Sequence, residues 1–127
     1  MKISAVLSIH NRSRLFSRAL LGYLWQTMAP EEWEVVLVDD MSTEDLTLTY
    51  REFLGRINLR HVRMDHRQHY MWKRRNPEWK PGDVEDWFHT PAVSNNVGFH
   101  LARGTVICLC HPEILHSNRN FEYAWKR

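Results

Sequence analysis

Polar side chains that can bind ligands follow three short apolar runs of this sequence. In chain order they are Ser8, His10 and Asn11, then Asp39 and Asp40, then His111 and Glu113. An aspartate can accept hydrogen bonds from the imino or hydroxyl groups of a ligand. A histidine and a glutamate together offer two ligands to a divalent cation, which suits a metal completed by substrate phosphates. The residue types therefore indicate a polar binding site that could include a metal.

Each of these residues also has an ordinary structural interpretation. Asp40 could cap the turn or helix that follows it, because short polar side chains bond to nearby backbone groups. His111 and Glu113 could be solvated loop residues on either side of Pro112. Surface positions are expected for three other histidines, His89, His100 and His116. The residues alone leave these alternatives open.

Short apolar runs predict the strands that would position the polar residues. Residues 3–9, 34–38 and 105–110 are rich in β-branched and apolar side chains, and the last is the most continuously apolar of the three. Such runs are typical of strands buried on both faces, so 105–110 is predicted to be the most buried strand. Residues 57–62 alternate in polarity and predict a more exposed edge strand.

Helical spacing of apolar residues predicts three helices between these strands. The first covers 15–24, and Asn11 or Ser13 could cap its first turn. The second runs from residue 42 or 43 to residue 54, where Gly55 follows. The third covers 92–102 and closes at a glycine. Strand and helix therefore alternate along most of the chain.

This alternation predicts an α/β fold with a Rossmann-like open parallel sheet. Right-handed crossovers allow the strand order 3-2-1-4, with a topological switch point between the first and fourth strands. The polar residues after each strand then share the carboxyl edge of the sheet, where one crevice could collect them. The chain contains neither GxGxxG nor GxxxxGK, so a bound phosphate would need another means of support.

Length and composition restrict the class of protein. The 127 residues are 43% hydrophobic and 25% charged, which predicts one globular domain over 1–127. No apolar run approaches the roughly 20 residues of a membrane helix, and residues 1–9 lack the features of a signal peptide. A cytoplasmic protein is therefore expected. Cys108 and Cys110 would share one face of a strand, which disfavours a bridge between them and predicts reduced thiols.

Residues 64–90 have no sustained apolar period and predict a long mobile loop. The window 60–80 contains seven Lys or Arg against two acidic residues, whereas the whole chain has a net charge of only +2. Charge confined to one window favours a local anion site. A solvated loop and a nucleic-acid patch remain open, although a nucleic-acid face should extend beyond one loop.

Five segments, in this order, resemble the family 2 glycosyltransferases with the GT-A fold. They read SIHNR at 8–12, LWQT at 24–27, EVVLVDDMST at 34–43, TPAVSNNVGF at 90–99 and ARG at 102–104. The last two are similar to the helix and turn that precede the metal-binding strand of those enzymes. The resemblance covers nearly the whole chain outside 64–89.

The resemblance implies a partial GT-A domain that binds a nucleotide sugar, most simply a UDP-linked one. By the same resemblance Asp39 contacts the base and Asp40 lies near the ribose. The other nucleotide-binding positions that it implies are Ser8, His10, Asn11 and Asn95. Since Ser94 stands where the family often has an arginine, Arg67 or Arg74 is expected to contact the diphosphate instead.

The resemblance also bears on the metal and on catalysis. Where the family has an Asp-x-Asp motif this chain has His111-Pro112-Glu113, so His111 and Glu113 are the candidate ligands for Mn²⁺ or Mg²⁺. The activity implied is transfer of a sugar to an acceptor hydroxyl, with inversion. Neither the acceptor nor the catalytic base can be identified.

Two interpretations of the whole chain remain. The first is the donor-binding portion of a glycosyltransferase, truncated at its carboxyl end and inactive in transfer by itself. The second is a nucleotide-binding or protein-interaction module without transferase activity. In either case a homo-oligomer or a partner protein is expected to cover the fourth strand, and no nucleic-acid partner is expected.

Overall fold

The computed structural model describes residues 1–64 and 91–127, which form a four-stranded parallel sheet with flanking helices. The strands are β1 (Ile3–Ile9), β2 (Trp33–Asp39), β3 (Leu59–Arg63) and β4 (Val106–Cys110). The helices are α1 (Ser13–Leu24), α2 (Thr47–Tyr50), α3 (Pro91–Leu101) and α4 (Asn120–Lys126). The strand order β3-β2-β1-β4 confirms the predicted order and the α/β class. The predicted mobile loop at 64–90, with Arg67 and Arg74, lies outside the described residues except for Met64.

The two central strands are covered on both faces, which explains why most of their residues are apolar. On one face, alternate residues of β1 pack with α1 residues such as Phe16 and Leu20 in the main core. On the other face, Val6, Val36 and Val38 pack against α3. A Cβ at Gly98 would overlap the Val6 side chain and lie 3.2 Å from Val38 Cγ2, so the glycine allows α3 to lie close to the sheet.

The predicted burial of the fourth strand is wrong. β4 is an edge strand whose side chains alternate in exposure, with Ile107 and Leu109 exposed by 44% and 49%. The physical reason is the position of α3, which packs over the central strands β1 and β2 rather than over β4. A continuous apolar run alone does not distinguish a covered strand from an edge strand whose outer face is uncovered.

The second predicted helix is also shorter than expected. Instead of a helix over 42–54, the structure has α2 at Thr47–Tyr50 followed by a 3-10 turn at Arg51–Phe53. Asp45 accepts from the Thr47 backbone N–H at 3.0 Å, and this Asx turn sets the start of the helix. Residues 42–44 are hydrogen-bonded instead to Asn11, in the loop after β1. No helix within 1–64 and 91–127 has the length and apolar character to cross a bilayer.

Helix α4 closes one face of the main core. Phe121 packs between Tyr23 and Trp33, with ring centroids 6.0 and 5.1 Å away. The Gln26 side chain fixes this segment, because its amide nitrogen donates to the Ser117 carbonyl at 2.6 Å and its amide oxygen accepts from the Phe121 N–H at 3.1 Å. Both cysteines are free, as predicted, and burial raises the pKa of Cys110 to about 11.

His116 is not the surface histidine that the sequence predicts. Its ring lies 5.3 Å from the ring of Tyr23, and its Nε2 atom is buried without a hydrogen-bond partner in the part of the chain described. Nδ1 is 3.0 Å from Asn120 Nδ2, whose amide is oriented by the Ser117 hydroxyl. The position arises because Gly22 leaves room for the His116 backbone, which a Cβ would approach within 2.8 Å.

The fold is therefore expected to lose stability in mild acid. Burial lowers the pKa of His116 from its ordinary value of 6.5, so the neutral ring is favoured in the folded state. Its stabilising effect is complete above pH 6.5 and is lost as the pH falls toward the lowered pKa of the folded state. Urea unfolding at several pH values should show this slope, and His116→Asn should flatten it. An exposed histidine changed in the same way, His100→Asn, should keep the slope, and an unchanged slope in His116→Asn would contradict the assignment.

Candidate functional site

The carboxyl ends of β1 and β4 border a pocket of about 190 Å³ at the predicted switch point. The polar residues that line it are Ser8, His10, Arg12, Asn95, His111 and Glu113. Five of these are predicted site residues, so the fold brings them together. The Asn95 side-chain oxygen is buried there and has no hydrogen-bond partner among the described residues, which leaves an acceptor available to a ligand.

Ser8 lines the pocket and also joins β1 to α3. Its hydroxyl is hydrogen-bonded to the hydroxyl of Ser94, which is fully buried. Ser94 therefore holds the start of α3 against the end of β1.

His10 lies between the pocket and the loop after β2. Its Nδ1 atom is 2.6 Å from the backbone carbonyl of Asp40, which can only accept, so Nδ1 carries the proton. The Asp40 N–H in turn donates to the Ile9 carbonyl at 2.7 Å, and the Asp40 residue is only 2% exposed. The ends of β1 and β2 are thereby held in one arrangement.

Asn11 connects two loops at the carboxyl edge. Its side-chain oxygen accepts hydrogen bonds from the N–H groups of Thr43 and Glu44 at 2.9 and 3.2 Å, and its own N–H donates to Ser42 Oγ at 2.8 Å. Asn11 and Arg12 both adopt a positive φ, at 57° and 66°. Asparagine tolerates this conformation better than most residues.

The expected caps of α1 are therefore wrong. The residue before the first turn is Arg12, and no side chain of that residue caps the helix. Asn11 bonds to the loop after β2 instead, and the Ser13 N–H donates to Glu44 Oε2 at 2.8 Å. A nucleotide contact by Asn11, which is not among the pocket-lining residues, stays a prediction.

Asp39 is a buried carboxylate at the end of β2 and is 1% exposed. Its Oδ1 atom accepts from the Ser42 N–H at 2.8 Å, and its Oδ2 atom lies 3.4 Å from His61 Nε2 and 3.5 Å from Arg63 Nη1. Burial acts to raise the pKa of Asp39, but the contacts with His61, Ser42 and Arg63 outweigh it and lower the pKa. The carboxylate is therefore ionised at neutral pH.

His61 and Arg63 were not among the predicted site residues. Both lie on β3, and in the register of the sheet Arg63 pairs with Asp39. The signal that could have found them is the strand order itself, because a third strand beside β2 must end next to Asp39. The sequence identified residues 57–62 only as an exposed edge strand and counted Arg63 only in a basic window.

His111 and Glu113 lie on the far side of the pocket and are both exposed. Arg12 Nη1 is 3.8 Å from Glu113 Oε1, so a guanidinium is close to the candidate metal ligand. Within the described ranges no three His, Cys, Asp or Glu side chains form a group that could hold a metal ion. Two protein ligands fit a cation such as Mg²⁺ or Mn²⁺ only where phosphate oxygens supply further coordination.

The fold is similar to those of several solved structures. Crystal structures of TarS from S. aureus, one in complex with UDP, superpose with a TM-score of 0.74 at 20% identity and cover 98% of this chain. Mannosyltransferase PcManGT from Pyrobaculum calidifontis, in complex with GDP-Man and Mn²⁺, superposes with a TM-score of 0.69 at 18% identity and also covers 98%. This chain covers 31% of the TarS chain and 32% of the mannosyltransferase chain.

One curated protein is similar in sequence. Validoxylamine A glucosyltransferase from Streptomyces hygroscopicus subsp. limoneus is 37% identical over 60 residues, which are 47% of this chain and 13% of that protein. No family model matches the chain. This chain therefore spans less than a third of the TarS chain and a smaller part of the glucosyltransferase.

These similarities define the class of fold. The four-stranded sheet of order β3-β2-β1-β4 with its helices is a partial GT-A domain of the Rossmann-like type. The resemblance to glycosyltransferases drawn from the sequence is confirmed, and the part of those enzymes that the chain resembles is the amino-terminal portion.

Proposed function

We propose that this chain is the donor-binding part of a glycosyltransferase that transfers a sugar from a nucleotide diphosphate to an acceptor hydroxyl, with inversion. The observation that carries the proposal is the polar pocket at the switch point of the sheet. The buried carboxylate of Asp39 lies on the neighbouring strand, paired in register with Ile9, which lines the pocket. The TarS structures with UDP and UDP-GlcNAc support a uridine nucleotide as the donor.

The dimensions of the carboxyl edge suit an extended nucleoside diphosphate. From β3 to β4 the edge crosses three strand spacings, which is roughly 14 Å. In our proposal the base lies at the β2–β3 end near Asp39, and the ribose lies by His10 and the Asp40 loop. The diphosphate then reaches the pocket between β1 and β4, where Asn95 offers an unpaired acceptor to a hydroxyl.

Glu113 and His111 would hold a divalent cation, Mn²⁺ or Mg²⁺, at the diphosphate end. When bound, the cation neutralises charge on the departing diphosphate. Arg12, beside Glu113, places a second positive group at the same end of the pocket. The complex of PcManGT with GDP-Man and Mn²⁺ supports a cation in this role.

A second candidate is a protein-interaction module, which the uncovered side of β4 favours. Ile107 and Leu109 expose apolar surface on the strand that forms one end of the sheet. Such a surface suits a second copy of the chain or another protein. The two candidates differ in nucleotide binding, which the first requires and the second does not.

Titration calorimetry with UDP in the presence and absence of Mn²⁺ tests the proposal. We expect UDP to bind about tenfold more tightly with Mn²⁺, roughly 1.4 kcal/mol, because phosphate oxygens complete the coordination by Glu113. Glu113→Gln should remove the gain from the metal and retain the weaker binding without it. Glu31→Gln changes an exposed glutamate at the opposite edge and should leave both affinities unchanged.

Two results would contradict this account. Equal affinity with and without Mn²⁺ would remove Glu113 and His111 from a metal site. Absence of UDP binding under both conditions would overturn the donor-binding proposal and leave the protein-interaction module.

A further inference from the structure

Arg63 presents a fixed guanidinium at the base end of the proposed site. It is the last residue of β3, and its Nη2 atom donates to the Ser42 carbonyl at 2.8 Å. Its Nη1 atom lies 3.5 Å from Asp39 Oδ2. The side chain is nevertheless 60% exposed, so one edge of the guanidinium is held by the protein while the rest faces solvent.

Asp39, in contrast to Arg63, is buried. It is 1% exposed, its Oδ1 atom is occupied by the Ser42 N–H, and its Oδ2 atom faces His61 and Arg63. A ligand that approaches this end of the sheet therefore meets the guanidinium of Arg63 before it can reach the carboxylate. The buried charge is better placed to hold the arginine than to contact the ligand.

We propose that Arg63 contacts the nucleobase directly and that Asp39 is a positioning residue that acts through it. This inference rests on the proposed function, since it identifies the residue that would recognise the base of the donor. It differs from the sequence-based expectation, in which Asp39 itself contacts the base.

The chemistry of a guanidinium indicates which bases it would select. Arginine has five N–H donors and no acceptor, and the contacts of Arg63 with Asp39 and Ser42 engage only two of them. Uracil and guanine carry a carbonyl oxygen at the position where cytosine and adenine carry an amino group. The remaining donors of Arg63 therefore favour uracil and guanine, whereas an amino group at the same place would meet another donor.

His61 lies beside Asp39 and is itself in contact with Tyr50. His61 Nε2 lies 3.4 Å from Asp39 Oδ2, within ion-pair distance but outside hydrogen-bond geometry, and its Nδ1 atom is 3.0 Å from Tyr50 Oη. The rings of Tyr50 and His61 pack edge to face with centroids 5.5 Å apart. Tyr50 therefore holds the His61 ring next to the carboxylate that faces Arg63.

The test compares the affinities of UDP, GDP, CDP and ADP by titration calorimetry. We expect the wild-type chain to prefer UDP and GDP over CDP and ADP by about tenfold. Arg63→Ala should bind all four with similar affinity. Arg63→Lys, which keeps the charge but not the fork of donors, should lose most of the preference. Asp39→Asn keeps the size and shape of the side chain but removes the charge that attracts Arg63, so it should reduce the preference in part.

Arg56→Ala is the matched control, because Arg56 is an exposed arginine at the opposite edge of the sheet and should leave the preference unchanged. A wild-type chain that binds no nucleotide would overturn the proposed function itself. Nucleotide binding whose preference persists in Arg63→Ala, or that shows no preference at all, would overturn only the role of Arg63. If Asp39→Asn loses the preference and Arg63→Ala keeps it, Asp39 rather than Arg63 contacts the base.

Discussion

Replacement of Glu34 by alanine is expected to lower the free energy of unfolding by about 3–5 kcal/mol, the usual cost of breaking a buried ion pair. The Glu34 carboxylate is only 1% exposed. It accepts from Ser4 Oγ at 2.7 Å, from Arg60 Nε at 2.9 Å and from the Arg103 N–H at 2.9 Å. Alanine would leave all three donors without this acceptor at the amino end of the sheet.

Urea unfolding followed by tryptophan fluorescence measures the effect. The matched control is Glu32→Ala, which removes the partner of Lys2 in a partly exposed pair and should cost less than about 1 kcal/mol. If Glu34→Ala and Glu32→Ala have similar effects, the buried network does not stabilise the fold in the way described.

The same network should also make the stability of the fold depend on pH in acid. Burial acts to raise the pKa of Glu34, but the hydrogen bonds from Ser4, Arg103 and Arg60 outweigh it and lower the pKa below its ordinary value of 4.5. The stabilisation is therefore complete above pH 4.5 and is lost as the pH falls toward the lowered pKa of the folded state. Glu34→Gln, which has no charge to titrate, should be less stable at neutral pH and less sensitive to acid in this range.

The sequence was sufficient to predict the sheet because its two central strands are covered on both faces. Residues 3–9 and 34–38 are mostly apolar, with Ser4, Ser8 and Glu34 as their polar members, and polar residues follow each run. This is the pattern of strands buried under helices. The same pattern led to the wrong prediction that 105–110 is the most buried strand. Burial of that strand depends on where α3 packs, and α3 packs against β1 and β2. Local pattern thus predicted which segments are strands but not which faces are covered.

The candidate site was predictable to the same extent. The polar residues after β1 and β4 do meet in one pocket, because parallel strands all end at the same edge. The contacts of Asn11 and Asp39 within the fold could not be predicted, because their partners lie far away in the sequence. Asn11 Oδ1 is occupied by N–H groups more than 30 residues away, and Asp39 is covered by two side chains of β3.

The structure gives a physical reason for the Ala102-Arg103-Gly104 motif. In the sequence it is one of the segments that resemble glycosyltransferases, without a reason for the glycine. In the structure the turn lies directly against β1, where the N–H groups of Arg103 and Gly104 donate to Ser4 Oγ at 3.1 and 2.8 Å. The Ser4 hydroxyl donates in turn to Glu34, so the motif belongs to the same buried network.

Gly104→Ala is accordingly expected to destabilise the fold by about 3–5 kcal/mol, through overpacking and the loss of buried hydrogen bonds. A Cβ at this position would lie 2.5 Å from the Ile3 carbonyl carbon and 2.9 Å from Ser4 Oγ. Backbone atoms in the sheet cannot yield, so the turn must withdraw and its bonds to Ser4 must lengthen. Gly55→Ala is the matched control in the same urea unfolding measurements, because Gly55 has a φ of 85° but nothing within 4 Å of an added Cβ. Strain alone should cost the control about 1–2 kcal/mol.

The two substitutions in the network should also be non-additive. In the Glu34→Ala background Arg103 has already lost one acceptor and the Ser4 hydroxyl has lost its own. Withdrawal of the turn then breaks fewer intact interactions, so Gly104→Ala should cost less there than in the wild-type chain, by roughly 0.5–3 kcal/mol. A double-mutant cycle measured by urea unfolding gives this difference directly. If the two changes in the free energy of unfolding simply add, the turn and the buried carboxylate stabilise the sheet independently. The hydrogen bonds through Ser4 would then not couple them.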